Sequence, residues 1–358
     1  MKKKYLLYVL LAIALVLLIT EYFINRQAPL ANVTPLAPVP KITPSPLTTP
    51  TSLLTDHFSG GFGIDTPEKA ARAAADGVQV AFLYNYAPAP GSSLEQTFAS
   101  LHMRVVDGFI ASQVYRYQRY YLCMTQHLTC SASYANDTEE ASYAAIRAHL
   151  QKVAQDGSLV IGYWVLDDQI DASLYGALKP VLQNVRKLIQ RYTPHLPAIC
   201  GFGAEITLND GGSWRPGVAA DFSTQGCDMV GLYIYVSTTV QDLAPAAPSY
   251  DWSMSSLLPA MFSSLQQQGW DMTKTPFIGI GHAWGMHATD GNYTTLTPQS
   301  IESQSRGFCA HGVTGLAFYG WADSTFEATT QTPMNSPAIE AGIHDGITAC
   351  EQYWSRRP

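Results

Sequence analysis

The segment PFIGIGHAW, residues 276–284, decides the fold together with the helix-like stretch at 297–312 and a second apolar run, GLAFYGW, at 315–321. Both apolar runs are rich in β-branched and aromatic residues, as buried strands are. The stretch between them begins with Thr-Pro and ends with Gly, which are common helix start and stop signals. A strand, a helix and a second strand in this order form the building unit of a parallel sheet.

The same unit recurs along the chain. Further apolar runs occupy residues 60–64, 78–84, 104–109, 158–166, 197–203 and 229–236. Helix-like stretches separate the runs, and the clearest is TPEKAARAAADG, with Thr66 as N-cap and Pro67 at the first helical position. The fifth helix is weak and is assigned to VAADFSTQG. Eight strands and eight helices predict an α/β fold, a closed (β/α)8 TIM barrel.

A doubly wound open sheet is the alternative fold for this alternation. It usually binds nucleotides through a Gly-x-Gly-x-x-Gly turn, and no such turn opens a helix in this chain. Several runs carry Gly in mid-strand, where a tapered barrel interior needs small residues. The sequence therefore favours the barrel.

The N-terminal region predicts export. Residues 1–27 contain three lysines followed by an apolar run from Tyr5 to Ile19, which predicts a signal anchor that spans the membrane. The residues after the run lack the small-residue pattern of a cleavage site, although a cleaved signal and a secreted protein remain the alternative. Residues 28–58 form a Pro/Thr-rich linker, and residues 59–358 form the barrel domain. We therefore expect a single-pass protein of the cell membrane with its barrel outside.

Composition narrows the range of partners. Hydrophobic residues make up 47% of the chain, charged residues 14%, and the net charge is -7. There is no run of basic residues beyond the extreme N-terminus to bind a phosphate backbone, so we expect no nucleic-acid partner. We expect no cofactor and a monomer.

The cysteines indicate disulfides rather than a metal site. The six cysteines are Cys123, Cys130, Cys200, Cys227, Cys309 and Cys350, an even number in a chain that is predicted to leave the cytoplasm. Cys123 and Cys130 are close in sequence, and Cys309 and Cys350 fall on the last two predicted helices. These are two candidate pairs. Metal binding is the competing interpretation, but neither a CxxC pair nor zinc-type Cys/His spacing occurs.

The predicted carboxyl ends of the strands, where barrel active sites lie, carry mainly carboxylates and aromatic residues. They offer Asp65, Tyr84, Asn85, Tyr86, Asp107, Asp167, Asp168, Glu205, Tyr233, Tyr235, His282, Trp284, Tyr319, Trp321 and Asp323. Aromatic faces stack on sugar rings and carboxylates bind hydroxyls, so this set predicts a carbohydrate substrate. Glycoside hydrolysis needs two carboxyl groups. We predict Asp168 as general acid, Glu205 as its partner and Asp167 as a third catalytic candidate. Asp107 is noted only for its position, and the other residues are substrate-binding candidates.

Each candidate also has a structural interpretation. Asp167 and Asp168 are adjacent, and because side chains alternate along a strand, at most one of them is expected to face the site. Asp65 can complement the positive end of the helix that follows it. Glu205 can be a solvated loop residue, and His282 a hydrogen-bonded structural group. The aromatic residues can serve in packing alone.

Two short motifs resemble barrel glycoside hydrolases. GID at 63–65 resembles the first-strand Asp motif of family-25 lysozymes, and YWVLDDQ is similar to their fourth-strand segment ending in D-x-E. The resemblance implies an extracytoplasmic glycoside hydrolase that acts on a polysaccharide or cell-wall glycan. Gln169 stands in place of the final Glu and cannot exchange a proton, so family-25 chemistry requires Asp167 or Asp168 in that role.

The chain departs from other barrel glycosidases as well. It lacks the D-x-x-D-x-D-x-E run of family-18 chitinases, and no carboxylate follows strand seven, where a large clan of retaining enzymes has a nucleophilic Glu. These departures support the alternative of a catalytically inactive barrel that binds glycans at the cell surface.

Overall fold

The computed structural model describes residues 57–84, 88–126, 134–157, 159–167, 175–203, 226–234, 254–286, 297–321 and 330–356. The predicted anchor, and all but the last two residues of the predicted linker, lie outside these ranges. None of the helices in the described ranges combines the length and the apolar character needed to cross a bilayer.

Eight parallel strands form a closed barrel in which the first and last strands pair, Phe58 opposite Gly315. The barrel strands are β1 Phe58–Phe62, β2 Val80–Phe82, β3 Arg104–Asp107, β4 Val160–Leu166, β5 Ala198–Gly203, β6 Met229–Tyr233, β7 Phe277–His282 and β9 Gly315–Tyr319. Two short strands, β8 Gly285–Met286 and β10 Thr330–Gln331, pair antiparallel to each other. The predicted barrel is confirmed, and each barrel strand overlaps one of the eight predicted runs.

The helices of the described ranges are α1 Pro67–Ala75, α2 Ser93–Ser100, α3 Phe109–Gln126, α4 Glu139–Asp156, α5 Tyr175–Tyr192, α6 Met254–Gln267, α7 Pro298–Ala310 and α8 Pro337–Trp354. The predicted start of α1 is confirmed, because the Thr66 side chain accepts a hydrogen bond from the Lys69 amide at 3.2 Å. Helix α3 was not predicted. Almost all of the weak fifth helix lies outside the described residues.

Two apolar layers hold the barrel together. The inner cluster, inside the barrel, includes Phe58, Phe62, Val80, Phe82, Val106, Ile161, Trp164, Ile199, Met229, Tyr233, Ile278, Ile280 and Ala317. The outer cluster packs the other faces of the strands against the helices and includes Ile64, Val105, Tyr163, Phe202, Phe308, Trp321 and Ile347. Strand alternation divides the residues between the two layers.

Glycines on β5 and β6 make room inside the barrel, as the sequence predicted. A Cβ atom on Gly201 would lie 2.5 Å from Cζ2 of Trp164, and one on Gly231 would lie 2.4 Å from Cη2 of the same indole. Either distance is a severe overlap. The two glycines thus allow one large aromatic side chain to fill the barrel interior.

Two disulfides link neighbouring elements of the described structure. Cys309 and Cys350 join α7 to α8, which confirms one of the candidate pairs. Cys200 of β5 joins Cys227, which lies just before β6, a pair the sequence did not predict. Cys123 is also disulfide-bonded, but Cys130 lies outside the described residues.

Candidate functional site

The barrel interior becomes polar at the carboxyl ends of its strands. Six side chains come together there, and we call them the carboxyl-end cluster: Tyr84, Asp167, Tyr233, His282, Trp284 and Tyr319. Each follows or ends a barrel strand, which is where barrel enzymes place their active sites. All six were sequence candidates.

The cluster rests on a floor of aromatic rings centred on Phe62. The Phe62 ring centroid lies 4.6 Å from that of Phe82 and 5.5 Å from that of Trp164. Three tyrosines contact the same ring from the carboxyl side, at centroid distances of 5.6, 6.0 and 5.8 Å for Tyr84, Tyr233 and Tyr319. Such packing holds the tyrosine rings in defined orientations.

Asp167 supplies a carboxylate to this cluster. The Tyr233 hydroxyl donates a hydrogen bond to Asp167 Oδ1 at 2.7 Å, and the Trp164 indole N–H lies 3.4 Å from the same oxygen. Of the adjacent pair Asp167 and Asp168, the structure places Asp167 at the inner cluster. Hydrogen bonds donated to a carboxylate stabilise its ionised form.

His282 is a neutral member of the cluster. It is 4% exposed, and burial lowers its pKa from 6.5 to about 3. An imidazole with this pKa stays unprotonated at neutral pH, so His282 cannot act there as a cationic proton donor. Its ring centroid lies 4.4 Å from that of Trp284, in edge-to-face geometry.

Gln304 of α7 positions the end of β7 and was missed by the sequence analysis. Its side-chain oxygen accepts a hydrogen bond from the His282 amide at 2.8 Å, and its side-chain nitrogen donates to the Ile234 carbonyl at 2.6 Å. Gln304 is 2% exposed. The sequence did contain a signal for this residue, a glutamine on the apolar face of a helix between Ile301 and Phe308. A buried amide needs hydrogen-bond partners, so a glutamine at such a position indicates a specific contact.

Trp321 requires a correction. The sequence places it at the carboxyl end of the last barrel strand as a stacking residue, but its side chain is fully buried in the outer cluster. Gly320 has a φ of 83°, which ends strand alternation one residue earlier. The Trp321 ring instead packs beside Gly61, where a Cβ would lie 3.0 Å from Cε3. In this position Trp321 contributes to the core.

Two other acidic residues at strand ends make structural contacts. Asp65 is exposed, and its Oδ1 lies 2.8 Å from Lys69 Nζ in α1. Asp107 is fully buried and faces the helix layer, where its Oδ2 lies 2.7 Å from His149 Nε2. These contacts fit the structural interpretation of each residue.

The remaining candidates, Asn85, Tyr86, Asp168, Glu205, Tyr235 and Asp323, lie outside the described residues. The structure therefore leaves their roles as predictions. Within the described ranges, no three side chains of the metal-binding types come together as a potential metal site.

The barrel is similar to those of glycoside hydrolases of known structure. The β-galactosidase from the psychrophilic Marinomonas ef1 is 8% identical with a TM-score of 0.52, over 83% of this chain and 62% of that one. The polyextremophilic β-galactosidase from the Antarctic haloarchaeon Halorubrum lacusprofundi is 11% identical with a TM-score of 0.54, over 83% of this chain and 58% of that one. The GH2 β-galacturonidase from Eisenbergiella tayi is 11% identical with a TM-score of 0.50, over 84% and 51%.

The likeness is distant, and it shows the fold alone. The chain spans between 51% and 62% of the length of these three structures. No protein-family model and no curated protein sequence matches the chain. The fold is thus a (β/α)8 barrel, similar to the barrels of these three structures.

Proposed function

We propose that this chain is a glycan-acting enzyme of the glycoside hydrolase type, with its site at the carboxyl-end cluster. The observation that carries the proposal is the contact between Asp167 and Tyr233, which sets a carboxylate beside three packed tyrosines inside the barrel mouth. Sugar rings stack on aromatic faces, and carboxylates bind their hydroxyls or exchange protons with the glycosidic oxygen. The names of the similar solved structures, two β-galactosidases and a β-galacturonidase, support a sugar-containing substrate.

Asp167 and Glu205 are our proposed catalytic pair. On β5, Ile199 belongs to the inner cluster, and the Cβ position of Gly201 points at Trp164 and Tyr233. Glu205 comes two residues after β5 in the sequence, and it stays our sequence-based candidate for the second carboxyl group. The hydrogen bond that the Tyr233 hydroxyl donates to Asp167 favours an ionised carboxylate, so we assign the role of proton donor to Glu205. Asp168, our first choice from sequence, becomes the competing assignment.

We also propose that the barrel works outside the cytoplasm, tethered by the predicted anchor at 1–27. The apolar run behind three lysines supports a membrane-spanning segment with the lysines inside. The disulfides support an oxidising compartment, because such bonds persist there. Protease protection of the barrel in intact cells, compared with lysed cells, tests the orientation: an external barrel is digested in both.

The test of the enzymatic proposal is sugar release from a panel of soluble and cell-wall polysaccharides by the full chain. Asp167→Asn and Glu205→Gln should each lower the rate by about 10²- to 10⁴-fold, the usual contribution of an acid–base group. Asp168→Asn is the matched comparison, with a smaller effect. A large loss in Asp168→Asn and a small loss in Asp167→Asn would reverse the assignment of the pair. Unchanged release in all three variants would remove the proposed site.

A glycan-binding barrel without catalysis is the second candidate function. Gln169 favours it, because the D-x-E pattern of the family-25 resemblance would have a glutamate there. This function predicts polymer retention without sugar release. Binding should then weaken in Tyr84→Ala and Tyr319→Ala, which remove the packed rings, and should survive Asp167→Asn.

A further inference from the structure

A cavity of about 160 Å³ lies outside the barrel, between α2 and α4. Val105 of β3, Val160 of β4 and Phe109 at the start of α3 contribute to its lining, together with Val153 of α4 and Pro88. The lining is largely apolar. A cavity of about this size holds one six-membered ring, since an engineered cavity of ~150 Å³ binds benzene.

A histidine joins this apolar lining. His149 Nε2 lies 2.7 Å from Asp107 Oδ2, and the other oxygen of Asp107 accepts the Phe109 amide at 2.8 Å. When the imidazole is neutral, the carboxylate accepts from Nε2 and selects the Nε2–H tautomer. The Phe109 ring stacks on the imidazole at a centroid distance of 4.2 Å and fixes its plane. In this tautomer the other ring nitrogen, Nδ1, is a hydrogen-bond acceptor, and no hydrogen bond to it from another described residue is present.

The charges around the cavity exclude one class of ligand. Two carboxylates, Glu95 and Asp156, line the cavity, and the buried Asp107 carboxylate lies beside it. Among the described residues, the lining contains a single lysine, Lys152. This balance disfavours an anion. The valine-rich floor disfavours a polyol, whose hydroxyls would lose water without finding partners.

We propose that this cavity binds a small neutral aromatic alcohol, with the ring on the valine floor and the hydroxyl donating to His149 Nδ1. Val105 and Asp107 face the helix layer, on the opposite face of β3 from the inner cluster. The site is therefore separate from the carboxyl-end cluster, and it stands or falls independently of the proposed glycan chemistry.

Phenol and toluene are the probes, because they have nearly the same size and differ in the hydroxyl. Partition into an apolar space alone favours toluene, the more hydrophobic molecule. The hydrogen bond to His149 should instead make phenol bind about threefold to tenfold more tightly. The measurement is a titration of the purified full chain, followed through the NMR signals of the Val105 and Val160 methyl groups. Equal or tighter binding of toluene, or unshifted methyl signals with phenol, would overturn the proposal.

Two variants locate the site and its acceptor. Val153→Phe fills the cavity and should abolish binding of both probes, whereas Ala148→Phe, on an exposed position of the same helix, should leave both affinities unchanged. Phenol binding that survives Val153→Phe contradicts the location. His149→Gln should remove the preference for phenol and retain toluene binding, which also reports that the cavity is intact. A retained preference in that variant contradicts the role of Nδ1. If His149→Gln does not fold, the Val153→Phe result still decides whether the probes bind in this cavity.

Discussion

Two regions of the molecule contain groups of polar side chains: the interface between α1 and α8, which we call the seam, and the carboxyl-end cluster. The hydrogen-bond partners of the polar groups differ between the two regions. In the seam, Arg72 donates to the two carboxylate oxygens of Glu340 at 3.1 and 2.8 Å and to the carbonyl oxygens of Met334 and Pro333. In the carboxyl-end cluster, the donors to Asp167 include the Tyr233 hydroxyl and the Trp164 indole N–H, which are neutral groups. Paired charges join the first described helix to the last one. The Asp167 carboxylate lies at the carboxyl ends of the strands, where barrel enzymes place their active sites, and this position is why we propose a function for the second region.

The largest expected effect is the loss of stability in Arg72→Ala, a substitution in the seam. The variant loses a bidentate ion pair and two bonds to carbonyl groups, so the free energy of unfolding should fall by about 2 to 3 kcal/mol, discounted for partial exposure. Chemical denaturation measures the loss. Arg72→Lys, which cannot form the bidentate contact, should recover only part of it. Sugar release at a temperature where the variant is folded should equal that of the wild type, and a parallel loss of activity would contradict the separation of the two regions.

Tyr233→Phe has the next largest effect and acts on the carboxyl-end cluster. It removes the hydroxyl that favours the ionised Asp167, so the rate of sugar release should fall about tenfold, equivalent to about 1.4 kcal/mol. The acidic limb of the pH–rate profile should move to higher pH, because the unassisted carboxylate takes up a proton more readily.

The matched control is Tyr143→Phe, far from the cluster, which removes a hydroxyl that donates to Glu139 of α4 at 2.8 Å and accepts from Asn184 of α5 at 3.3 Å. It should leave both the rate and the pH profile unchanged. Equal effects of the two substitutions would show that the inner hydroxyl has no special role.

His282 makes the stability of the carboxyl end depend on pH. Its folded pKa of about 3 lies below the ordinary value of 6.5, so between these pH values the unfolded chain binds the extra proton. Stability from His282 is therefore fully present above pH 6.5, and falls by up to about 1.4 kcal/mol per pH unit as the pH drops toward 3. Unfolding curves of His282→Asn should show a shallower slope across this range. An unchanged slope would mean that His282 is not buried as a neutral group.

Asp76 lies next to the seam, and its effect on stability should have a pH dependence opposite to that of His282. We expect this effect to be the smallest of the set. Burial, and then the negative charge of Glu340, raise its pKa from 3.8 to about 6. Because the folded state binds the proton more tightly, the contribution of Asp76 to stability is lost as the pH rises through 6. Asp76→Asn should thus raise the melting temperature slightly above pH 6 and leave it unchanged below about pH 3.8. A lower melting temperature at pH 8 would contradict this account.

The sequence predicted the barrel because each strand is a short apolar run with its own turn signals. It missed helix α3 because the segment YRYQRYY, residues 115–121, breaks the apolar periodicity of a helix. It extended the third strand to Phe109, although Asp107 accepts the Phe109 amide and thereby starts the helix. Local hydrogen bonding of this kind leaves little trace in an apolar pattern.

The sequence predicted which residues lie at the strand ends, and the contacts between them depend on backbone geometry. Strand alternation alone could not choose between Asp167 and Asp168. The contact of Asp167 with Tyr233 depends on β6, which lies two strands further round the barrel and 66 residues away in sequence. Trp321 was misplaced because a single positive φ at Gly320 redirects the chain. The disulfide between Cys200 and Cys227 depends on strand adjacency, whereas the Cys309–Cys350 pair followed from two neighbouring helices.

The most direct test of the central claim is a crystal structure of the full chain with an oligosaccharide from the polymer that it cleaves or retains. Our account predicts a sugar ring in van der Waals contact with Tyr84 or Tyr319, and a sugar hydroxyl or glycosidic oxygen within hydrogen-bonding distance of Asp167. An oligosaccharide bound elsewhere on the barrel, with the carboxyl-end cluster unoccupied, would contradict the assignment of function to this region.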